Sequence, residues 1–180
     1  MLCYNTFMEG KERRDEIFKI IAQSSDSVSA TKLSKTLGVS RQVIVSDIAL
    51  LRAQGAEIIA TSRGYIVSPK IVTDSKHTYK VACIHSKDET KSELYLFVDL
   101  GAVVVNTIVE HEYYGEIVGC LNLISRQDVD YFIDKLNKSE IKLLSELTGG
   151  VHLHTIACSN KEHFDKVVKK LDESGFLFKE

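Results

Sequence analysis

Proline is scarce in this chain and paired cysteines are absent from it. Pro69 is the single proline in 180 residues, and it stands where the character of the sequence changes. No Pro-rich linker or recognition segment is therefore present. The four cysteines, Cys3, Cys83, Cys120 and Cys158, are scattered and none belongs to a Cys-x-x-Cys pair, which argues against a zinc ribbon or a dithiol redox site. Cys83 and Cys158 lie in apolar runs that read as strands and are expected to be buried thiols. There is no signal peptide and no apolar run of about 18 residues. A cytoplasmic protein with reduced cysteines and no membrane partner is expected. Neither sign of charge dominates. Up to Lys70 there are ten Lys/Arg against seven Asp/Glu, and beyond it thirteen against eighteen, for a total of −2. A mildly basic first part and an acidic second part permit nucleic-acid binding by the first without establishing it. Histidine is absent before His77.

The spacing divides the chain into a loosely held start (residues 1–10), a first domain (11–70) and a second (71–180). From Lys11 to Ser24, Ile17, Phe18, Ile20 and Ile21 recur among charges as on an amphipathic helix. Ala30 to Leu37 reads as a short second helix ended by Gly38, and Ser40 caps a third that runs to about Gln54. Val43, Ile44, Ile48 and Leu51 form its core stripe. Two helices joined by Leu37-Gly38-Val39-Ser40 make a helix-turn-helix, whose second helix enters the major groove of DNA. Ser40, Arg41, Gln42, Val45, Ser46 and Arg52 then belong to the exposed side. Arg reads guanine and Gln adenine through paired hydrogen bonds. Two short strands, Ala56–Thr61 and Gly64–Val67, would form a wing whose Arg63 reaches phosphate or the minor groove. The alternative is a small helical bundle without DNA function.

The second part reads β-α-β-β-α-β-α: strand His77–His85, helix Asp88–Leu100, strand Ala102–Val109, strand Ile117–Ile124, helix Ser125–Asn137, strand Val151–Cys158 and helix Asn160–Ser174. Its first six elements follow the ferredoxin-like split β-α-β layout, a mainly antiparallel sheet with helices on one face. The whole is thus α+β, a winged helix-turn-helix followed by a ferredoxin-like α/β sandwich.

Within that second part, Val151-His152-Leu153-His154-Thr155 follows Gly149-Gly150. Residues two apart in a strand share a face, so His152 and His154 present two imidazoles together. Imidazole is the commonest nitrogen ligand of divalent transition metals. Half a metal site is one reading; a turn cap and a surface histidine are the other. His85 closes the first strand, and a ferredoxin-like layout makes that strand a neighbour of the last. His85 would then approach the pair, and Glu93 on the following helix would complete three nitrogens and one oxygen, a set suited to Zn, Ni or Fe. His163 reads as solvated, and His77 stays ambiguous.

Four stretches carry a resemblance. They are Glu93-Leu94-Tyr95 with Val98-Asp99-Leu100-Gly101, Ile108 to Glu116 around His111, Ser125-Arg126-Gln127-Asp128-Val129, and Leu147-Thr148-Gly149-Gly150-Val151-His152-Leu153-His154-Thr155-Ile156. Together they resemble the three-histidine (3H) domain. With the preceding helix-turn-helix, the chain from about Lys11 onward resembles the niacin-responsive repressors of NAD biosynthesis and niacin uptake. Where that family often has proline after the histidine aligned with His111, this chain has Glu112. The resemblance implies a repressor with nicotinic acid as co-repressor, and a divalent metal held by His85, Glu93, His152 and His154. It makes His111 a pocket residue. Arg126 can pair an effector carboxylate or cap its helix, and Tyr113 or Tyr114 can stack on a ring or simply pack. Gly149 and Gly150 let backbone approach a ligand or make a plain turn. A homodimer is expected, since palindromic half-sites mirror two-fold symmetry. Two other functions are open. A metal-responsive repressor would use the same ligands with the metal as signal. A metal-dependent hydrolase needs an acid or base beside an open position; Glu110, Glu112 and Glu116 have the right chemistry, yet no His-Glu-x-x-His spacing occurs.

Overall fold

The computed structural model describes residues 9–24, 26–67, 77–139 and 142–179. Most of the start expected to be loosely held (1–8 of 1–10), and the boundary around Pro69, lie outside the described residues. The chain separates into two compact units, Met1–Lys70 and Ile71–Glu180.

In the first unit α1 spans Gly10–Gln23, α2 Ala30–Leu37 and α3 Arg41–Ala53. Serines set the starts of the last two: Ser29 Oγ accepts the Lys32 N–H and Ser40 Oγ accepts the Val43 N–H, each satisfying a donor that the first helical turn leaves open. Gly38 follows α2 with φ +66°, the left-handed conformation that the tight turn requires. Ile17, Ile21, Leu33, Ile44 and Ile48 are buried together with Val28 and Ile58. Two short strands, β1 (Ile58–Ala60) and β2 (Tyr65–Val67), pair antiparallel as the expected wing. Val28 adds a bridge to Tyr65 through two 2.9 Å backbone bonds, which the sequence pattern did not announce. Asp47, buried on the inner side of α3, accepts a fork from Arg13 of α1 at 2.6 and 3.3 Å.

The second unit holds β3 (His77–Ile84), α4 (Thr90–Asp99), β4 (Val103–His111), β5 (Gly115–Leu123), α5 (Arg126–Asn137), β6 (Val151–Cys158) and α6 (Lys161–Glu173). The sheet order is β3-β6-β4-β5, with every neighbouring pair antiparallel. β3 and β4 therefore run parallel with β6 between them, and β5 and β6 flank β4 in the same way. Both are split β-α-β units, as expected. The second and fourth strands are central here, where a ferredoxin sheet centres the first and third. The adjacency of first and last strands is the same in both. Leu94, Phe97 and Val98 of α4, Val129 of α5 and Val167 and Leu171 of α6 pack on Val81, Cys83, Val104, Leu121, Leu123, Ile156 and Cys158. The helices thus share one face of the sheet.

Differences in the elements are local. The expected helix from Asp88 is a 3-10 turn, Lys87–Glu89, and then α4. Ser86 sets this, since both its N–H and its hydroxyl bond Glu89 at 3.0 and 2.6 Å. A second 3-10 helix, Leu144–Thr148, precedes β6. After α6 the chain turns back along β3, where the Ile84 N–H bonds Phe176 O and the Phe178 N–H bonds Ala82 O. This covers an edge that would otherwise offer unpaired backbone groups.

Candidate metal centre and DNA-binding surface

The register of β3 against β6 builds the site. Cys83 lies opposite His152, and Val81 opposite His154. Both histidines are buried, on the face covered by helices. His85 follows directly after β3. Gly150 crosses its backbone with φ +100°, and a Cβ at that position would stand 2.6 Å from His85 O. The glycine is there for that crossing. Glu93 projects from α4 into the cluster and is wholly buried. His85 Nε2 is 3.0 Å and His154 Nε2 3.2 Å from Glu93 Oε2. His152 Nε2 is 3.3 Å from Glu93 Oε1 and 3.2 Å from His154 Nε2.

All three rings are held in the same sense. The Nδ1 atoms meet backbone carbonyls: His85 meets Ser86 O at 2.7 Å, His152 meets Gly150 O at 2.9 Å and His154 meets Asn106 O at 2.9 Å. A carbonyl only accepts, so each Nδ1 carries the proton and each neutral ring turns its Nε2 lone pair on Glu93. Three lone pairs and a carboxylate facing one another at 3.0–3.3 Å repel unless a cation or added protons join them. His85 Nε2 and Glu93 Oε1 are buried without an aligned hydrogen bond. Ligand bonds of about 2.0–2.1 Å in a tetrahedron place ligand atoms roughly 3.3 Å apart; the four separations above lie near that value, with Glu93 contributing both of its oxygens to them. The donor set fits a divalent transition ion.

The electrostatics agree with a site built for positive charge. Burial works to raise the Glu93 pKa, but the charge of His154 and the close approach of all three histidines overcome it, leaving the carboxyl well below its usual range. For His85, burial works downward and the Glu93 carboxylate outweighs it, so the imidazole is raised. Burial, helped by the Glu93 charge, pushes the Cys83 thiol up.

Beside the cluster lies a cavity of about 30 Å³, whose lining includes His85, Glu93, His152 and His154 together with Thr90, Thr107, Phe132, Leu144 and Ser145. It has room for one or two waters. Thr90 Oγ1 is buried and unpartnered. Of the residues expected around an effector, His111, Tyr114 and Arg126 do not line this cavity. His111 accepts the Tyr113 N–H and packs on Tyr114 at the β4–β5 hairpin tip, where Tyr113 and Tyr114 are 81% and 78% exposed. Arg126 forks onto Asp99 with two 2.6 Å bonds and covers the Tyr95 ring. Gly149 caps the 3-10 helix. Sequence reasoning missed Thr90, Thr107, Phe132, Ser145 and Cys83. Thr90 precedes Glu93 by one helical turn and Cys83 precedes His85 by two strand positions, so both were visible as same-face neighbours.

In the first unit, Arg41, Gln42, Val45, Ser46 and Arg52 are exposed along α3, opposite buried Ile44, Asp47, Ile48 and Leu51. Ser40 is engaged as the cap. Arg63 is exposed in the turn between the wing strands. One face of α3 is therefore fixed in the core and the other carries the polar groups that base edges require.

The family model described as an HTH domain matches residues 13–66, and that of the 3H domain matches residues 78–180. The chain is similar to the transcription repressor NadR of Bacillus subtilis (strain 168), 37% identical over 172 residues that make up 95% of this chain and 96% of that protein. It is also similar to the probable transcription repressor NiaR of Thermotoga maritima, 39% identical over 170 residues, 94% of this chain and 95% of that one. These relatives are repressors, in keeping with the expectation of a regulator rather than an enzyme. Among the described residues no helix is long and apolar enough to cross a membrane. A helix-turn-helix ahead of a 3H domain, matched by such relatives over nearly the whole length, makes this chain a member of the 3H-domain transcription repressor family.

Proposed function

We propose that this protein represses genes of NAD biosynthesis or niacin uptake as a DNA-bound homodimer, with nicotinic acid as co-repressor and a divalent metal held by His85, Glu93, His152 and His154. The observation that carries the reading is the buried cluster itself. Three imidazoles fixed through Nδ1 turn their lone pairs on one carboxylate, with a small cavity adjoining. When bound, the ion supplies Lewis acidity toward a carboxylate or pyridine nitrogen. The protein's own part is to hold the rings and supply hydroxyls: Thr90 and Ser145 line the cavity together with the histidines. At about 30 Å³ the cavity does not admit a pyridine ring as it stands. Effector binding therefore requires the wall of Phe132, Leu144 and Ser145 to move, and linkage follows if the opened wall accompanies the DNA-competent arrangement of the dimer. The exposed face of α3 and Arg63 would contact the operator.

A second reading has the metal alone as signal, favoured by a cavity that suits an ion and its water better than a ring. Operator binding followed by fluorescence anisotropy separates the two, using metal-loaded and chelated protein with and without nicotinate. Tightening by nicotinate that disappears on chelation supports the co-repressor reading. Binding that follows metal and ignores nicotinate moves the assignment to a metal sensor. Binding indifferent to both overturns each. His152→Ala is expected to abolish the metal response while operator binding by the first unit persists.

A further inference from the structure

We propose that Cys83 is a ligand of this same centre, its thiolate joining the histidines and Glu93 on a divalent ion. The inference rests on the metal reading above and goes beyond it, since the donor set becomes three nitrogens, one oxygen and one sulfur. The geometry carries it. Cys83 is wholly buried and sits directly across from His152 in the β3–β6 ladder, on the helix-covered face and two residues before His85. Its Sγ, a Glu93 carboxylate oxygen and a His152 ring nitrogen all lie within 4.8 Å of one another. Glu93 Oε1 is buried and without an aligned hydrogen bond.

Charge supports the assignment independently. A divalent ion on three neutral imidazoles and one carboxylate leaves one positive charge buried, which is costly in a low-dielectric interior. A thiolate makes the centre neutral. The sulfur–metal bond forms as the S–H proton leaves to solvent. Sulfur also shifts preference away from hard ions toward Zn and other thiophilic metals. A core cysteine is ordinarily a small apolar filler, whereas Cys83 faces the Glu93 carboxylate, to which its S–H can donate.

Co(II) added to the metal-free full-length protein tests this. Visible d–d bands report the ion in the centre, and a near-ultraviolet sulfur-to-cobalt charge-transfer band reports a thiolate ligand. Both bands are expected in the wild type. Cys83→Ser should keep the visible bands and lose the near-ultraviolet one. A variant with Cys3→Ser, Cys120→Ser and Cys158→Ala, which leaves Cys83 alone, should keep both, so the assignment stays testable if Cys83→Ser folds poorly. Visible bands without the near-ultraviolet band in the wild type overturn the thiolate and leave the histidine site standing. A near-ultraviolet band that survives Cys83→Ser also overturns it. Absence of both bands overturns the thiolate and the metal reading together.

Discussion

Supplying a divalent metal is expected to reverse the pH dependence of stability in the 3H domain. Without metal, the cluster is held by protons. Glu93 is depressed below its ordinary carboxyl value of 4.5, so its contribution is present above that value and is lost as pH falls toward the depressed one. His85 is raised above its ordinary 6.5, so its contribution is present below 6.5 and is lost as pH rises through the raised value. The metal-free domain is therefore most stable in the weakly acidic window between them. On the alkaline side, loss of the His85 proton leaves a wholly buried carboxylate short of positive charge, and an uncompensated buried charge costs about 3–5 kcal/mol. With metal the requirement inverts, because the ion needs the Nε2 lone pairs and protons compete for them. Binding at 100 to 1,000 times Kd contributes about 2.7 to 4.1 kcal/mol, or roughly 10–30 °C in Tm for a domain of this size. That gain should be larger at about pH 8 than at about pH 6, because an ordinary imidazole changes charge between about pH 5 and 8 and His85 is raised.

Five of the seven tyrosines lie beyond residue 76, so near-ultraviolet circular dichroism follows this domain in a thermal melt. Scans with chelator and with Zn(II) at both pH values give four midpoints. The chelated midpoint is expected to fall with pH and the zinc-loaded one to rise. Glu93→Gln should flatten the chelated slope, since it removes the group that raises His85. A chelated domain that is equally or more stable at the higher pH, or a zinc shift that does not grow with pH, would refute the account of the rings as lone-pair donors fixed through Nδ1.

Other substitutions test the supports around the site and the DNA-binding unit. Gly150→Ala places a Cβ 2.6 Å from His85 O at φ +100° and should cost about 1–3 kcal/mol in urea unfolding, with weaker metal binding because Gly150 O orients His152. Thr90→Val removes a buried, unpartnered hydroxyl and is expected to stabilise the metal-free domain by about 1 kcal/mol, read from the same melts. Asp47→Asn weakens the fork from Arg13, whose side chain is 17% exposed; partial hydration of the arginine places the loss at about 2–3 kcal/mol, below the roughly 3–5 kcal/mol of fully buried pairs, seen as a lower urea midpoint of the first unit. Arg63→Ala should weaken operator binding about equally for all sequences and reduce the salt slope of log K by about 1, as a phosphate contact does, in anisotropy titrations across salt concentrations.

The chemistry of these residues was legible in the sequence to different depths, and the reason is physical. In the first unit the signals are local. Ser40 three residues before the N–H it caps, Gly38 at a left-handed turn and Ile44, Ile48 and Leu51 at helical spacing each act within a few residues, and the elements they predict are the ones observed. The buried Arg13–Asp47 pair spans 34 residues, and no local pattern distinguishes Asp47 from a solvated acid. The second unit shows the same limit more sharply. Two-residue alternation fixes which residues share a face, so His152 with His154, and Cys83 with His85, could be read from the chain alone. It does not fix register. Cys83 meets His152 across a pairing that joins residues 69 apart; a slip of two positions would keep every face and bring a different pair of side chains together. Gly150 supplies the missing constraint, because a Cβ at that position would stand 2.6 Å from His85 O, so only glycine makes the crossing that sets where β6 begins against β3. The two glycines before the histidine pair looked equally suited to a ligand or a turn. Gly149 does make the turn, capping the 3-10 helix, whereas Gly150 fixes the register that brings a thiol, three imidazoles and a carboxylate to one buried place.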